Sequence, residues 1–326
     1  MGTVVTIHVV GHGGTERARS ERAACIDRGV AWFRHIESVC SRFLPDSELR
    51  RLSSRIGTPT RVSPLLYEAI QFSLQVAEAS DGAFDPTVGL LMEDRGFTEE
   101  HRTGIRSRTT VGRQEPSTDN DPDEHPSSRR GGSPRPHFRD VILDSHDRTI
   151  TLRRPLVLDL GAVVKGLAVD LAARELRPME NFAIDAGGDQ LFSGSNADGK
   201  AWSVGIRRPR LPHTVLHTLR LSNGAVCTSG DYERPVRGAE SDAADHHLLD
   251  ARTGTTARAA ASVTVIAPCA MAADALATAA FALGPVDGLR FLDRQGVDGL
   301  IVTPSFEEVM TAGMRDRVMT GAGTGA

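Results

Sequence analysis

From Phe138 onward the chain breaks into short apolar runs of strand length: Val141 to Leu143, Thr149 to Leu152, Leu156 to Leu158, Phe182 to Ile184, Trp202 to Ile206 and Leu216 to Leu221. Helical patterns interrupt them at Ala162 to Leu176 and Ala270 to Leu283. A repeating βαβ array needs a crossover helix between successive parallel strands, so this mixed order argues against one and predicts an α+β fold. The first half reads differently. Met1 to Val10 alternates like a strand, and Glu16 to Cys40 carries Ala24, Val30, Ile36 and Val39 at amphipathic-helix spacing. Ser63 and Pro64 supply an N-cap and a first-turn proline to the stripe Leu65, Ala69, Phe72 and Val76, which ends near Ser80.

Between Phe97 and Phe138 the only aliphatic side chains are Ile105 and Val111. Such a stretch cannot bury enough apolar surface to offset its ordering entropy, so residues 99–136 are expected to be a disordered or loosely held insertion in one domain spanning residues 1–326. The remaining composition, 40% hydrophobic and 25% charged, is that of a soluble globular protein. A net charge of -4 gives no electropositive field for nucleic acid, and 5% aromatic residues supply few stacking platforms. No stretch approaches the roughly 20 consecutive apolar residues that span a bilayer. The opening residues lack the basic start and continuous apolar run of an export signal, so the chain as given is expected to be cytoplasmic or to have lost a leader. Cys25, Cys40, Cys227 and Cys269 form no C-x-x-C pair and read as buried free thiols.

Several polar clusters punctuate this pattern. Asp159-Leu160-Gly161-Ala162-Val163-Val164-Lys165-Gly166 reads as an apolar strand that ends in a carboxylate, turns at glycine and enters a helix. Free amides at the helix start, with Lys165 close by, form a phosphate cradle; equally, an Asp159–Lys165 ion pair would tie strand to helix. Asp274 and Thr278, four residues apart on an alanine-rich helix, fall on one face and offer hard oxygen ligands suited to magnesium, or else a solvated polar stripe. Asp185-Ala186-Gly187-Gly188-Asp189 permits close backbone approach to a ligand or a tight hairpin turn. Asp81-Gly82-Ala83-Phe84-Asp85-Pro86-Thr87 is a loop with two carboxylates, and His246-His247 offers either a general base or a satisfied core histidine.

Taken in order, Met1-Gly2-Thr3, Ser41-Arg42-Phe43 with Asp46-Ser47-Glu48-Leu49, the Asp81 to Thr87 loop, and the D-L-G-x-x-x-K-G, A-G-G-D, T-S-G-D-Y, H-x-x-D-x-x-T-G and A-D-A-L-A-T-A segments resemble the ApbE-type FAD:protein FMN transferase family. The resemblance covers nearly the whole chain. It implies a single T-fold-related domain of two mixed α/β lobes with a flavin cleft between them. It implies that Asp274, Thr278 and the Ala162 carbonyl hold magnesium, and that Met1, Ala83, Phe84, Asp85, Asp159, Lys165 and Leu248 contact FAD. His247 is then the candidate for assisting acceptor deprotonation, with Lys165 as a fixed cation at the phosphates. The implied reaction cleaves the FAD pyrophosphate, attaches FMN to a Thr or Ser of an acceptor flavoprotein and releases AMP. An FAD pyrophosphatase or a non-enzymatic FAD-binding protein is the alternative. Three departures stand out: relatives are usually exported or lipid-anchored, the polar insertion is long, and Ala162 and Ala251 replace a frequent glycine and proline.

Overall fold

The computed structural model describes residues 3–11, 14–99, 104, 135–211, 213–232 and 246–319. Met1 and most of the predicted insertion at 99–136 lie outside the described residues. The helices are α1 (Glu16–Cys40), α2 (Glu48–Ser53), α3 (Pro64–Ala79), α4 (Gly89–Asp94), α5 (Gly161–Leu176), α6 (Ala270–Gln295) and α7 (Ala312–Arg317). The early strands are β1 (Val5–Val9), β2 (Thr60–Arg61), β3 (Val141–Asp144), β4 (Thr149–Leu152), β5 (Phe182–Ala186), β6 (Asp189–Ser193) and β7 (Trp202–Arg207). They are followed by β8 (Val215–Leu221), β9 (Gly224–Gly230), β10 (Leu249–Asp250), β11 (Thr255–Thr256), β12 (Ser262–Ala267), β13 (Asp298–Val302), β14 (Glu308–Met310) and β15 (Val318–Met319).

A seven-stranded sheet, ordered β1-β5-β6-β9-β12-β13-β14 and antiparallel throughout, forms the centre. Side chains alternate across it. Ala225, Cys227, Val263, Val265 and Ile301 point into the core shared with α1, α5 and α6, while Val226, Ile266, Leu300 and Val302 join Val204, Ile206 and Leu219 of the β15-β8-β7 sheet on the other face. Because both faces are covered, all six residues of β12 are buried. A third small sheet, β2-β4-β3, contributes Ile150 and Leu152 to the helical core.

Helices α1, α3, α5 and α6 form where the periodicity places them, whereas the six-residue α2, α4 and α7 are too short to leave such a pattern. The α1 stripe Cys25, Gly29, Phe33, Ile36 and Cys40 is buried at spacings of three and four. Thr15 caps its start by accepting from Ala18 N at 3.3 Å, and Ser63 caps α3 by accepting from Leu66 N at 3.3 Å. Helix α5 packs on α6 through small residues. A Cβ on Gly166 would run into the backbone of Ala270 and Met271, so only glycine permits this approach. Asp170 of α5 then caps α6, accepting from Ala270 N at 2.8 Å and Met271 N at 2.9 Å. Helix α6 continues past the expected end at Leu283, but it breaks there: Gly284 has φ 78 and Pro285 follows. Among the described residues α6 is the one helix long and apolar enough to cross a membrane, and it is packed against α5, β9 and β12.

Leu156 to Leu158 is not the strand its composition predicts. Val157 makes one isolated parallel bridge to Val88, and the three side chains are apolar because they are core, at most 1% exposed. Conversely, β9, β12 and β13 were not singled out by pattern, because burial on both faces blurs the alternation that marks a half-exposed strand.

Candidate functional site

The crossing of α5 and α6 gathers the polar clusters. One turn into α5, Lys165 ion-pairs with Asp189, which sits at the start of β6, and its Nζ stands 3.7 Å from Oδ2 of Asp274 on α6. Asp189 and Asp274 are 1% and 5% exposed. Burial by itself disfavours the lysine charge, but the two carboxylates outweigh it and hold Lys165 above the ordinary lysine range. Cys227 of β9 is fully buried beside this group and donates to the Ala270 carbonyl at 3.6 Å; burial keeps its thiol protonated well above the usual range.

One turn along α6 from Asp274, the Thr278 hydroxyl is 3.0 Å from the Ser229 hydroxyl of β9. Thr228 beside it pairs with Thr264 of β12 at 2.9 Å. The polar stripe on α6 is therefore not solvated. It faces β9, and the solvated alternative is overturned by the burial of Asp274.

The expected Asp159–Lys165 pair is also not formed. Asp159 Oδ2 lies 2.8 Å from Arg42 Nε, and Oδ1 accepts from Gly161 N at 2.9 Å, capping α5 in place of Leu160. Lys165 is engaged instead by Asp189 of β6 and Asp274 of α6. Ala162 lies three residues before Lys165 and is partly exposed at the helix start.

In the Asp81 to Thr87 loop, Ala83 and Phe84 are buried and their backbone is pinned to the end of α3: Phe84 N donates to Ser80 Oγ at 3.2 Å. Asp85 is engaged on both oxygens. Oδ1 accepts from Thr87 N and Oγ1 at 2.8 and 2.7 Å, and Oδ2 accepts from Phe138 N at 2.8 Å. Burial raises its carboxyl above the usual value, while those bonds pull it back down. The Ala83 carbonyl accepts from Ala251 N at 3.1 Å, which ties this loop to the segment carrying His246, His247 and Leu248.

The two histidines separate in role. His246 is 4% exposed, meets Phe281 edge-on at 5.7 Å and accepts from Leu248 N at 3.3 Å, as a satisfied core histidine does. His247 is partly exposed. Leu248 is buried, its carbonyl accepting from Ala257 N at 3.0 Å. Gly187 and Gly188, both with positive φ, close the β5–β6 hairpin, which is the turn alternative for that cluster. The hairpin nonetheless delivers Asp189 to Lys165. Asp189, Ser229 and Arg42 stand inside the sequence motifs with no local signal of a role; their partners Lys165, Thr278 and Asp159 are brought to them by tertiary packing.

The donor set fits a hard divalent cation. Asp189 and Asp274 carry two buried negative charges against one ammonium on Lys165, so these three side chains leave one negative charge in a low-dielectric setting, and oxygen donors surround it. Among the described residues no cluster of three or more His, Cys, Asp and Glu side chains is placed to hold a metal, so a site here needs a hydroxyl, a carbonyl or a bound phosphate to complete it.

The ApbE family model matches residues 1–301. The FAD:protein FMN transferase of Treponema pallidum is 30% identical over 98% of this chain and 86% of its own length. That of Haemophilus influenzae is 26% identical over 82% and 75%. Among solved structures, the ApbE protein of Thermotoga maritima superposes with a TM-score of 0.76 at 26% identity, covering 97% of this chain and 99% of its own. The flavin transferase ApbE of Vibrio cholerae superposes with a TM-score of 0.75 at 25% identity, covering 97% and 96%. With an α+β fold that superposes over nearly its full length and a family model that matches most of its sequence, this chain belongs to the ApbE family.

Proposed function

We propose that this protein is a magnesium-dependent FAD:protein FMN transferase. The observation that carries the reading is the excess negative charge where α5 crosses α6: Asp189 and Asp274 share one ammonium from Lys165, with Thr278 and Ser229 hydroxyls alongside. The names borne by relatives matching most of the chain support the same reading. Simple flavin retention needs no such arrangement.

Asp274, Thr278 and the Ala162 carbonyl would hold the magnesium, with FAD phosphate oxygens as further ligands. Bound there, the ion neutralises charge on the pyrophosphate and on the departing phosphate. Lys165 supplies a fixed cation that Asp189 holds in place. Ala83, Phe84, Asp85, Asp159 and Leu248 would contact FAD, as would Met1, which lies outside the described residues. His247 accepts the proton of the acceptor Thr or Ser hydroxyl. The acceptor oxygen then bonds to the FMN phosphorus as the bridging bond to AMP breaks, and AMP leaves with the bridging oxygen.

One assay separates this from its rivals. The protein is incubated with FAD, magnesium and a candidate acceptor domain, and AMP release and acceptor mass are followed. AMP with a flavin-bearing acceptor is the predicted outcome. AMP with free FMN would mean a pyrophosphatase, and intact FAD would mean a binding protein.

A further inference from the structure

Arg42 follows α1 and is 6% exposed. Three segments meet on its guanidinium. Nε lies 2.8 Å from Asp159 Oδ2, Nη2 donates to the Phe97 carbonyl at 2.7 Å, and the group stacks 4.2 Å from the centre of the Phe43 ring. Nη1 is buried without a hydrogen-bond partner among the described residues. The guanidinium is therefore sequestered from water while Asp159 keeps a partly exposed edge, and truncating Asp159 would leave the buried cation uncompensated.

What Arg42 grips matters more than the grip. Asp159 uses its second oxygen to cap α5 at Gly161, and its backbone N donates to the Pro86 carbonyl at 2.7 Å. One residue thus joins the Asp81 to Thr87 loop to the helix that carries Ala162 and Lys165. Helix α5 has no capping side chain at Leu160, so its first turn depends on Asp159. Arg42 engages the oxygen that the cap leaves over, so the guanidinium helps hold the capping rotamer.

We infer that Arg42 is a positioning residue for dinucleotide binding: it locks Asp159, and through Asp159 it sets the start of α5 against the Asp81 to Thr87 loop. The inference rests on the flavin-transfer reading above. Lysine cannot replace arginine, because a single ammonium cannot reach Asp159 and the Phe97 carbonyl while stacking on Phe43.

The test uses the full chain with R42K, R42Q, D159N and the double variant R42Q/D159N. FAD affinity is read by flavin fluorescence, KM for FAD and kcat by AMP release, and folding by thermal unfolding with and without FAD. R42K is expected to fold and to weaken FAD binding and raise KM by about tenfold or more, with kcat changed less than about threefold. The double variant is expected to bind FAD no worse than D159N alone, since Arg42 acts through Asp159. Wild-type affinity and KM in R42K, or losses in R42Q and D159N that multiply, would overturn the role. If R42K does not fold, the charge-neutral R42Q/D159N is compared with D159N: equal FAD affinity in the two supports the inference, and a further loss in the double variant overturns it. Wild-type protein that binds no FAD sinks the flavin reading itself, whereas wild-type protein that binds FAD alongside an unaffected R42K sinks only the role of Arg42.

Discussion

Lys165 of α5 and Asp274 of α6 approach to 3.7 Å, with Asp189 completing a buried group of two carboxylates and one ammonium. Lys165→Met therefore strands two negative charges out of water. In metal-free buffer it is expected to cost about 3–5 kcal/mol, measured by urea unfolding, because breaking a buried pair leaves a charge uncompensated. Glu175→Gln, which weakens the pair between the exposed Arg28 and the partly exposed Glu175 at 2.8 Å, is expected to cost far less, because solvent screens that pair. Equal effects would contradict the burial argument.

Gly166 is the point of closest approach between the same two helices. Helix propensity alone predicts that Gly166→Ala stabilises by about 1 kcal/mol. The added Cβ, however, meets the Ala270 backbone, which cannot swing aside as a side chain can. Overpacking of this kind costs about 1–3 kcal/mol, so net destabilisation is expected in urea unfolding, with reduced AMP release from the folded protein. A stabilised variant would show that the crossing is looser than described.

These two contacts also show how far the sequence could be read. The extents of α1, α3 and α5 are legible from helical apolar spacing and, for α3, a Ser-Pro start, all of them local signals. Asp274 and Thr278 were found because both lie on one helix four residues apart. Arg42 and Asp189 were not, since their partners are 117 and 24 residues away and depend on which segments the sheet brings together. The Asp159–Lys165 pair failed for the same reason: nearness in sequence favoured a partner that tertiary packing had already supplied from elsewhere.

Asp170 gives a pH-dependent prediction. Burial, the larger influence, raises its carboxyl, while the Met271 and Ala270 amides pull it down. A carboxyl raised on folding binds more protons folded than unfolded, so its contribution to stability is greatest below about pH 4 and is lost as pH rises through the folded value. Asp170→Asn cannot ionise. Beyond a constant cost for losing one acceptor, its stability relative to wild type is expected to improve between about pH 4 and pH 7. Urea unfolding at both values checks this, and an unchanged difference contradicts it.

A divalent cation at the α5–α6 crossing on which turnover depends is tested by AMP release from FAD across a magnesium titration, in wild type and in Asp274→Ala, with FAD affinity measured in parallel. Magnesium-dependent turnover is expected in wild type and a loss of at least roughly 100-fold in the variant, with FAD binding weakened far less. Full turnover in Asp274→Ala at the same magnesium concentration would contradict it.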